Sequence, residues 1–225
     1  MVQKVLLTLF LQLTVVFSAF AETDITKNST EVNHQKYLTV KGLELKPGLR
    51  MDDALNAFKA KGWVHLNVND ETIRDTKFYV LRGIFYNYVN SEVFIYSTLN
   101  DRNIVGKLEI CFPSMDSFKE LKDLYDRLKS ALGKKYHMIS HTETFHDKNV
   151  NNSSQDKYKL KALEQGKAIF NSKFVLNKDS NSSSSGYILL YFKSDKMDFF
   201  KSYYVYITYV TPDGIAEQLS AEDDL

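Results

Sequence analysis

The chain has 225 residues, with 29 Lys+Arg against 28 Asp+Glu. Hydrophobic residues make up 44% and charged residues 25%, the composition of an ordinary globular domain. The balanced charge argues against a nucleic-acid partner, because phosphate binding needs clustered Lys and Arg. A single Cys excludes an internal disulfide framework and a cysteine-based zinc site.

Residues 1–21 read as a secretory signal peptide. Lys4 supplies the positive start, and Val5 to Phe17 form an apolar run of 13 residues. Ala19-Phe20-Ala21 places small residues where signal peptidase needs them, so cleavage is expected after Ala21. The run is shorter than the ~20 residues of a membrane span. The expectation is therefore a soluble exported chain, periplasmic or secreted, with no transmembrane segment after cleavage. Residues 22–35 are polar and aperiodic and read as a flexible leader.

Regular patterning starts at Tyr37. The stretch YLTVKGLEL suggests a strand, ended by Pro47-Gly48. Met51, Ala54, Leu55 and Phe58 have helical spacing, with Asp52 and Asp53 in the first turn and Gly62 as C-cap. Four strand candidates follow: WVHLN, KFYVLRGIFYNY, SEVFIYSTL and IVGKLEICF. Asn90-Ser91 suggests the hairpin turn between the second and third. Ser117 and Glu120 have capping-box spacing. Phe118, Leu121, Leu124, Tyr125, Leu128 and Leu132 then make one apolar stripe up to Gly133. YHMISHTETF, KAIFNSKFVLN, GYILLYFKS and SYYVYITYVT are the later strand candidates, with a short helix expected in KYKLKALEQG.

This pattern predicts an α+β protein: tandem α-β-β-β-β repeats, an antiparallel sheet or sheets, and helices on one face. The first repeat spans 36–113, the second 114–214, and 215–225 form a C-terminal tail. The competing explanation for the periodicity is that Pro simply marks element boundaries.

The segments LTVKGLELKPGLRMDDALNAFKAKGW, GKLEICFPSMDSFKELKDLYDRLKSALGKKY and ALEQGKAIFNSKFVLN resemble an uncharacterised family of secreted or periplasmic Bacteroidetes proteins. The similarity covers about residues 37–211 and rests on turns, caps and apolar faces. More distantly, the layout is similar to the beta-lactamase-inhibitor-protein-like fold. That resemblance implies protein binding without catalysis, and it carries over no functional residue.

His137, His141 and Glu143 would share one face of a flat strand, a set fit for zinc or copper. The two histidines would lie ~13 Å apart at ~3.3 Å per residue, too far for one ion without a bend, so a half-exposed polar strand explains them better. Cys111 lies in an apolar strand and reads as a small buried hydrophobe. The acid pairs Asp52-Asp53 and Asp70-Glu71 could in principle serve glycoside hydrolysis. The chain holds 14 Tyr and 15 Phe, many in strand candidates. In the last strand Tyr203, Val205, Ile207 and Tyr209 make one face, leaving Tyr204 and Tyr206 on the other. Together with Tyr86 and Tyr96 they are the expected binding residues, against the alternative of cross-strand packing. The expected function is an exported, non-catalytic binding protein that uses no cofactor and meets a protein or glycan. The alternative is a metal-assisted or carboxylate-based hydrolase.

Overall fold

A computed structural model describes residues 36–66, 76–151, 153–179, 182–197 and 200–223. The expected signal peptide and leader lie outside the described residues. The chain folds as α+β, with an eight-stranded antiparallel sheet beside a two-stranded one.

The first expected strand is a small hairpin instead, β1 (Thr39–Val40) and β2 (Leu43–Glu44). Lys41 and Gly42 between them have φ of 49° and 75°, the two positive values a tight hairpin turn requires. Helix α1 (Met51–Lys59) buries Met51, Ala54, Leu55 and Phe58, the residues its spacing singles out. Strands β3 (Val64–Leu66), β4 (Phe78–Phe85), β5 (Tyr88–Ser97) and β6 (Val105–Cys111) follow. Helix α2 (Phe118–Gly133) starts at Ser117, whose side chain accepts the Glu120 N–H at 3.1 Å. After it come β7 (His137–Phe145), α3 (Lys148–Asn151) and α4 (Asp156–Glu164). The chain ends with β8 (Ala168–Val175), α5 (Ser182–Ser185), β9 (Tyr187–Met197), β10 (Phe200–Val210) and α6 (Pro212–Asp223).

The sheet order is β3-β4-β5-β6-β10-β9-β8-β7. Each run of four is a meander, and the two runs meet where β10 pairs with β6. The sequence spans 36–113 and 114–214 therefore contribute to a single sheet and a shared core.

One rung crosses all eight strands: His65, Leu81, Val93, Ile110, Ile207, Leu190, Ser172, His141. Its six inner members are buried to 1% or less, because helices cover this side. Tyr125 of α2 pairs with Ser172 at 2.7 Å, and Tyr79 of β4 donates to Asp52 of α1 at 2.7 Å. Phe118, Phe145, Phe170 and Phe192 interlock beneath α2 at centroid distances of 4.8–6.1 Å. Trp63, edge-on to Phe58, lies against Gly83, where a Cβ would sit 2.4 Å from the indole. Only glycine lets that ring reach the sheet.

Three expectations fail. Asn90 is not in the β4–β5 turn; Tyr86 and Asn87 are, with φ of 48° and 66°. Asn90, at φ 60°, serves the register shift beside the turn instead. Residues 215–223 of the expected tail are helical instead, because α6 runs through them from Pro212. The Gly214 N–H donates to Thr211 Oγ1 at 3.1 Å, so Thr211 caps the helix and Pro212 takes its first position. Nor do all helices share one face: α6 reaches the opposite side of the sheet, where Gln218 accepts a hydrogen bond from Tyr187 at 3.2 Å.

Candidate functional site

The side of the sheet away from α1, α2 and α4 carries its own continuous rungs. One is Val64, Arg82, Glu92, Cys111, Tyr206, Tyr191, Asn171, Thr142. The next is Leu66, Val80, Phe94, Glu109, Thr208, Leu189, Lys173, Ser140. A strand alternates its side chains, so these residues point away from the helix-covered core. The composition mixes aromatic rings with charged and amide groups, unlike the rung behind it, whose inner members are apolar except for Ser172.

Charges on this face are paired, across β4 and β5 in one case and along β6 in the other. Arg82 meets Glu92 at 2.6 Å, and Lys107 meets Glu109 at 3.3 Å. The Lys107 ammonium also sits 4.3 Å from the Tyr96 ring centroid. The Glu109 side chain is 12% exposed, hemmed in by its neighbours. Burial pushes the Tyr191 hydroxyl up to about 12, with the Glu109 carboxylate adding to the rise and Thr208 opposing it. Burial likewise raises Tyr96, again with Glu109 behind it. Both phenols are therefore neutral hydrogen-bonding groups at ordinary pH.

The four expected binding tyrosines divide. Tyr204 and Tyr206 stand on the open face, as the alternation of β10 requires, but only Tyr204 is half-exposed. Tyr206 is 6% exposed, stacked on Tyr191 at 5.6 Å and met edge-on by Tyr204 at 6.1 Å. Tyr96 stands beside Phe94 at 6.2 Å and Phe78 at 6.0 Å, half-buried. Tyr86 is exposed at the β4–β5 turn, outside these rungs.

The His137, His141 and Glu143 set does not assemble. A register shift between Met138 and Ser140 pairs His137 with Val175 and His141 with Ser172, three residues apart on β8. An odd separation means opposite faces, so the shift cancels the expected shared face. Glu143 is committed to α2: Lys129 donates to it, and Lys122 reaches it at 3.2 Å. Its burial would raise the carboxyl, but the two ammonium groups outweigh that and hold it below the usual range. Among the described residues no three His, Cys, Asp or Glu side chains converge on a metal position. Asp52 is engaged by Tyr79, and Asp70-Glu71 lie outside the described residues. Cys111 is buried at 8%, as a small hydrophobe would be.

Sequence reasoning missed Tyr191, Glu109 and Lys107 as members of this face. Alternation within each strand tells which residues share a side. Which strands are neighbours is decided by the β6·β10 pairing, between segments about 100 residues apart. It also missed the cleft where α6 meets the face, about 450 Å³, walled by Phe78, Tyr96, Lys107 and Gln218.

Comparison with family models, curated proteins and solved structures finds no match to this chain.

Proposed function

We propose that the chain is an exported, non-catalytic binding protein whose partner, a protein or a glycan, sits on the open sheet face. The observation that carries the reading is the pair of rungs running from Val64 to Thr142 and from Leu66 to Ser140. They carry half-exposed Phe94 and Tyr191, with half-exposed Tyr96 and Tyr204 flanking them on the same face, among paired charges on the side away from α1, α2 and α4. A surface of aromatic rings with polar tips suits recognition, since each ring offers area at small entropic cost. The rigid sheet behind it keeps those groups in place without a partner, which lowers the cost of binding. Export is supported by the apolar run and the Ala19-Phe20-Ala21 site. No described helix is long and apolar enough to cross a membrane.

The test compares wild type with Tyr204→Ala, on a glycan array and as bait for surface and secreted proteins of the source cells. Tyr204 is half-exposed, so the variant should still fold, its melting point lowered only by loss of the edge contact with Tyr206. A partner retained by wild type and lost by Tyr204→Ala supports the reading. Equal retention by both proteins counts against it.

A further inference from the structure

We propose that the cleft between α6 and the open face binds a neutral saccharide. The inference rests on the open face being the binding surface, and it names the ligand class there.

The cleft exists because α6 is pressed against the start of β6. A Cβ on Gly214 would lie 2.2 Å from the Gly106 carbonyl oxygen, so glycine alone permits the approach. Glu217 then accepts the backbone N–H groups of Leu99 and Asn100, the latter at 3.1 Å. Gln218 accepts from Tyr187 at 3.2 Å. These bonds fix the helix over one end of the sheet and leave a space of about 450 Å³. That volume is in the range of small-ligand sites.

Chemistry inside the cleft decides the ligand. Phe78 and Tyr96 give it an aromatic wall, their rings 6.0 Å apart and inclined by 31°. Polar groups line it too, Lys107, Glu217 and Gln218, with the Lys107 ammonium 4.3 Å from the Tyr96 ring centroid. An anionic ligand would need a cation to itself, yet Lys107 is held by Glu109 at 3.3 Å. A cationic ligand would need a carboxylate to itself, yet Glu217 already accepts two backbone donors. An apolar ligand would strip water from these groups without replacing its hydrogen bonds. A sugar ring avoids all three penalties. Its C–H face lies on an aromatic ring while its hydroxyls donate to carboxylate or amide and accept from ammonium or amide.

The exported protein would be titrated with maltotriose, cellotriose and triacetylchitotriose, and with trigalacturonate as the charged control. A printed array of neutral glycans widens the search. The expected result is saturable binding of at least one neutral glycan, with trigalacturonate bound more weakly. Tyr96→Ala should weaken that binding about tenfold or more, as loss of a central aromatic anchor does. Tyr96→Phe, which keeps the ring, should retain most of it. Should Tyr96→Ala melt early, the exposed Gln218→Ala serves as the second variant and should also weaken binding. Silence of every neutral glycan overturns the proposal, as does binding indifferent to both Tyr96→Ala and Gln218→Ala. A protein partner lost on Tyr204→Ala with all glycans silent would sink the saccharide and leave the open-face reading standing. Retention of every partner by Tyr204→Ala would instead sink that reading.

Discussion

Tyr191 of β9 and Tyr206 of β10 stack across their shared rung, ring centroids 5.6 Å apart and planes within 15°. The pair explains how an aromatic residue can face away from the helix-covered core and still be buried. Tyr206 is shielded by its neighbours on the same face, so its ring contributes to the fold. Tyr206→Ala should therefore destabilise by about 3–5 kcal/mol, the usual cost of deleting a large buried ring. Tyr206→Phe keeps the stack and should cost under ~1.5 kcal/mol. Urea midpoints of the two variants check this. An unchanged midpoint in Tyr206→Ala would mean that the ring is not packed as described.

Tyr125 and Ser172 form the buried hydrogen bond that joins α2 to β8, at 2.7 Å. Tyr125→Phe removes one partner and leaves the serine hydroxyl buried without it. The cost of such an orphan is about 1–3 kcal/mol. Tyr125→Phe/Ser172→Ala removes both hydroxyls and should recover part of that loss. Denaturation of the singles and the double gives the coupling directly. Additive losses would show that the two hydroxyls do not interact.

Leu124 is fully buried in the middle of the α2 stripe. Leu124→Ala should cost about 2–5 kcal/mol by chemical denaturation. Lys122 is nearby in sequence but points to Asp126 and Glu143, at 2.6 and 3.2 Å. Lys122→Ala loses only these two part-exposed ion pairs and should stay within about 1 kcal/mol. Comparable losses in both variants would contradict the helix orientation.

Glu143 links the fold to pH. Burial favours its neutral form, but Lys129 and Lys122 more than compensate, and its folded pKa lies below the ordinary 4.5. A depressed carboxylate stabilises the fold above the unfolded pKa, and that contribution is lost as pH falls through the folded value. Glu143→Gln should thus be less stable than wild type near neutrality, by no more than about 1 kcal/mol for this part-exposed network. The gap should close in acid below the folded value. A gap independent of pH would point to packing in place of charge.

Much of this architecture was legible from local patterns. The stripe from Phe118 to Leu132 and the Ser117 cap appear as periodicity and capping chemistry, which depend on neighbours in sequence. The same holds for the core face of β10, where Tyr203, Val205, Ile207 and Tyr209 all enter the core. Helix α6 was legible too, in the order Thr211, Pro212, Asp213, but Pro212 also fits a strand terminator. The rest depended on distant pairings. The shift between Met138 and Ser140 changes which face His137 takes, and no residue in HMISHTETF announces it. Tyr206 was recognisable as facing away from the core. Its burial could not be read, because it comes from Tyr191 and Tyr204 in a particular register.

Gly214 offers a separate handle on the cleft. Gly214→Ala would force a methyl against the Gly106 carbonyl, and relief requires α6 to move. Overpacking of this kind costs about 1–3 kcal/mol. Hydrogen exchange should show faster exchange in α6, with the β5–β6 pairing retained. Unchanged protection of α6 would show that the helix does not press on β6.

The open face as binding surface is tested most directly by amide chemical-shift mapping with the partner retained in the Tyr204→Ala comparison. Perturbations should centre on β9, β10, β6 and β5, at Tyr191, Tyr204, Glu109 and Tyr96 and their backbone neighbours. The exposed sides of α1 and α2 should stay unperturbed. Shifts concentrated on α2, or on the β7 edge around His137 and His141, would contradict the account.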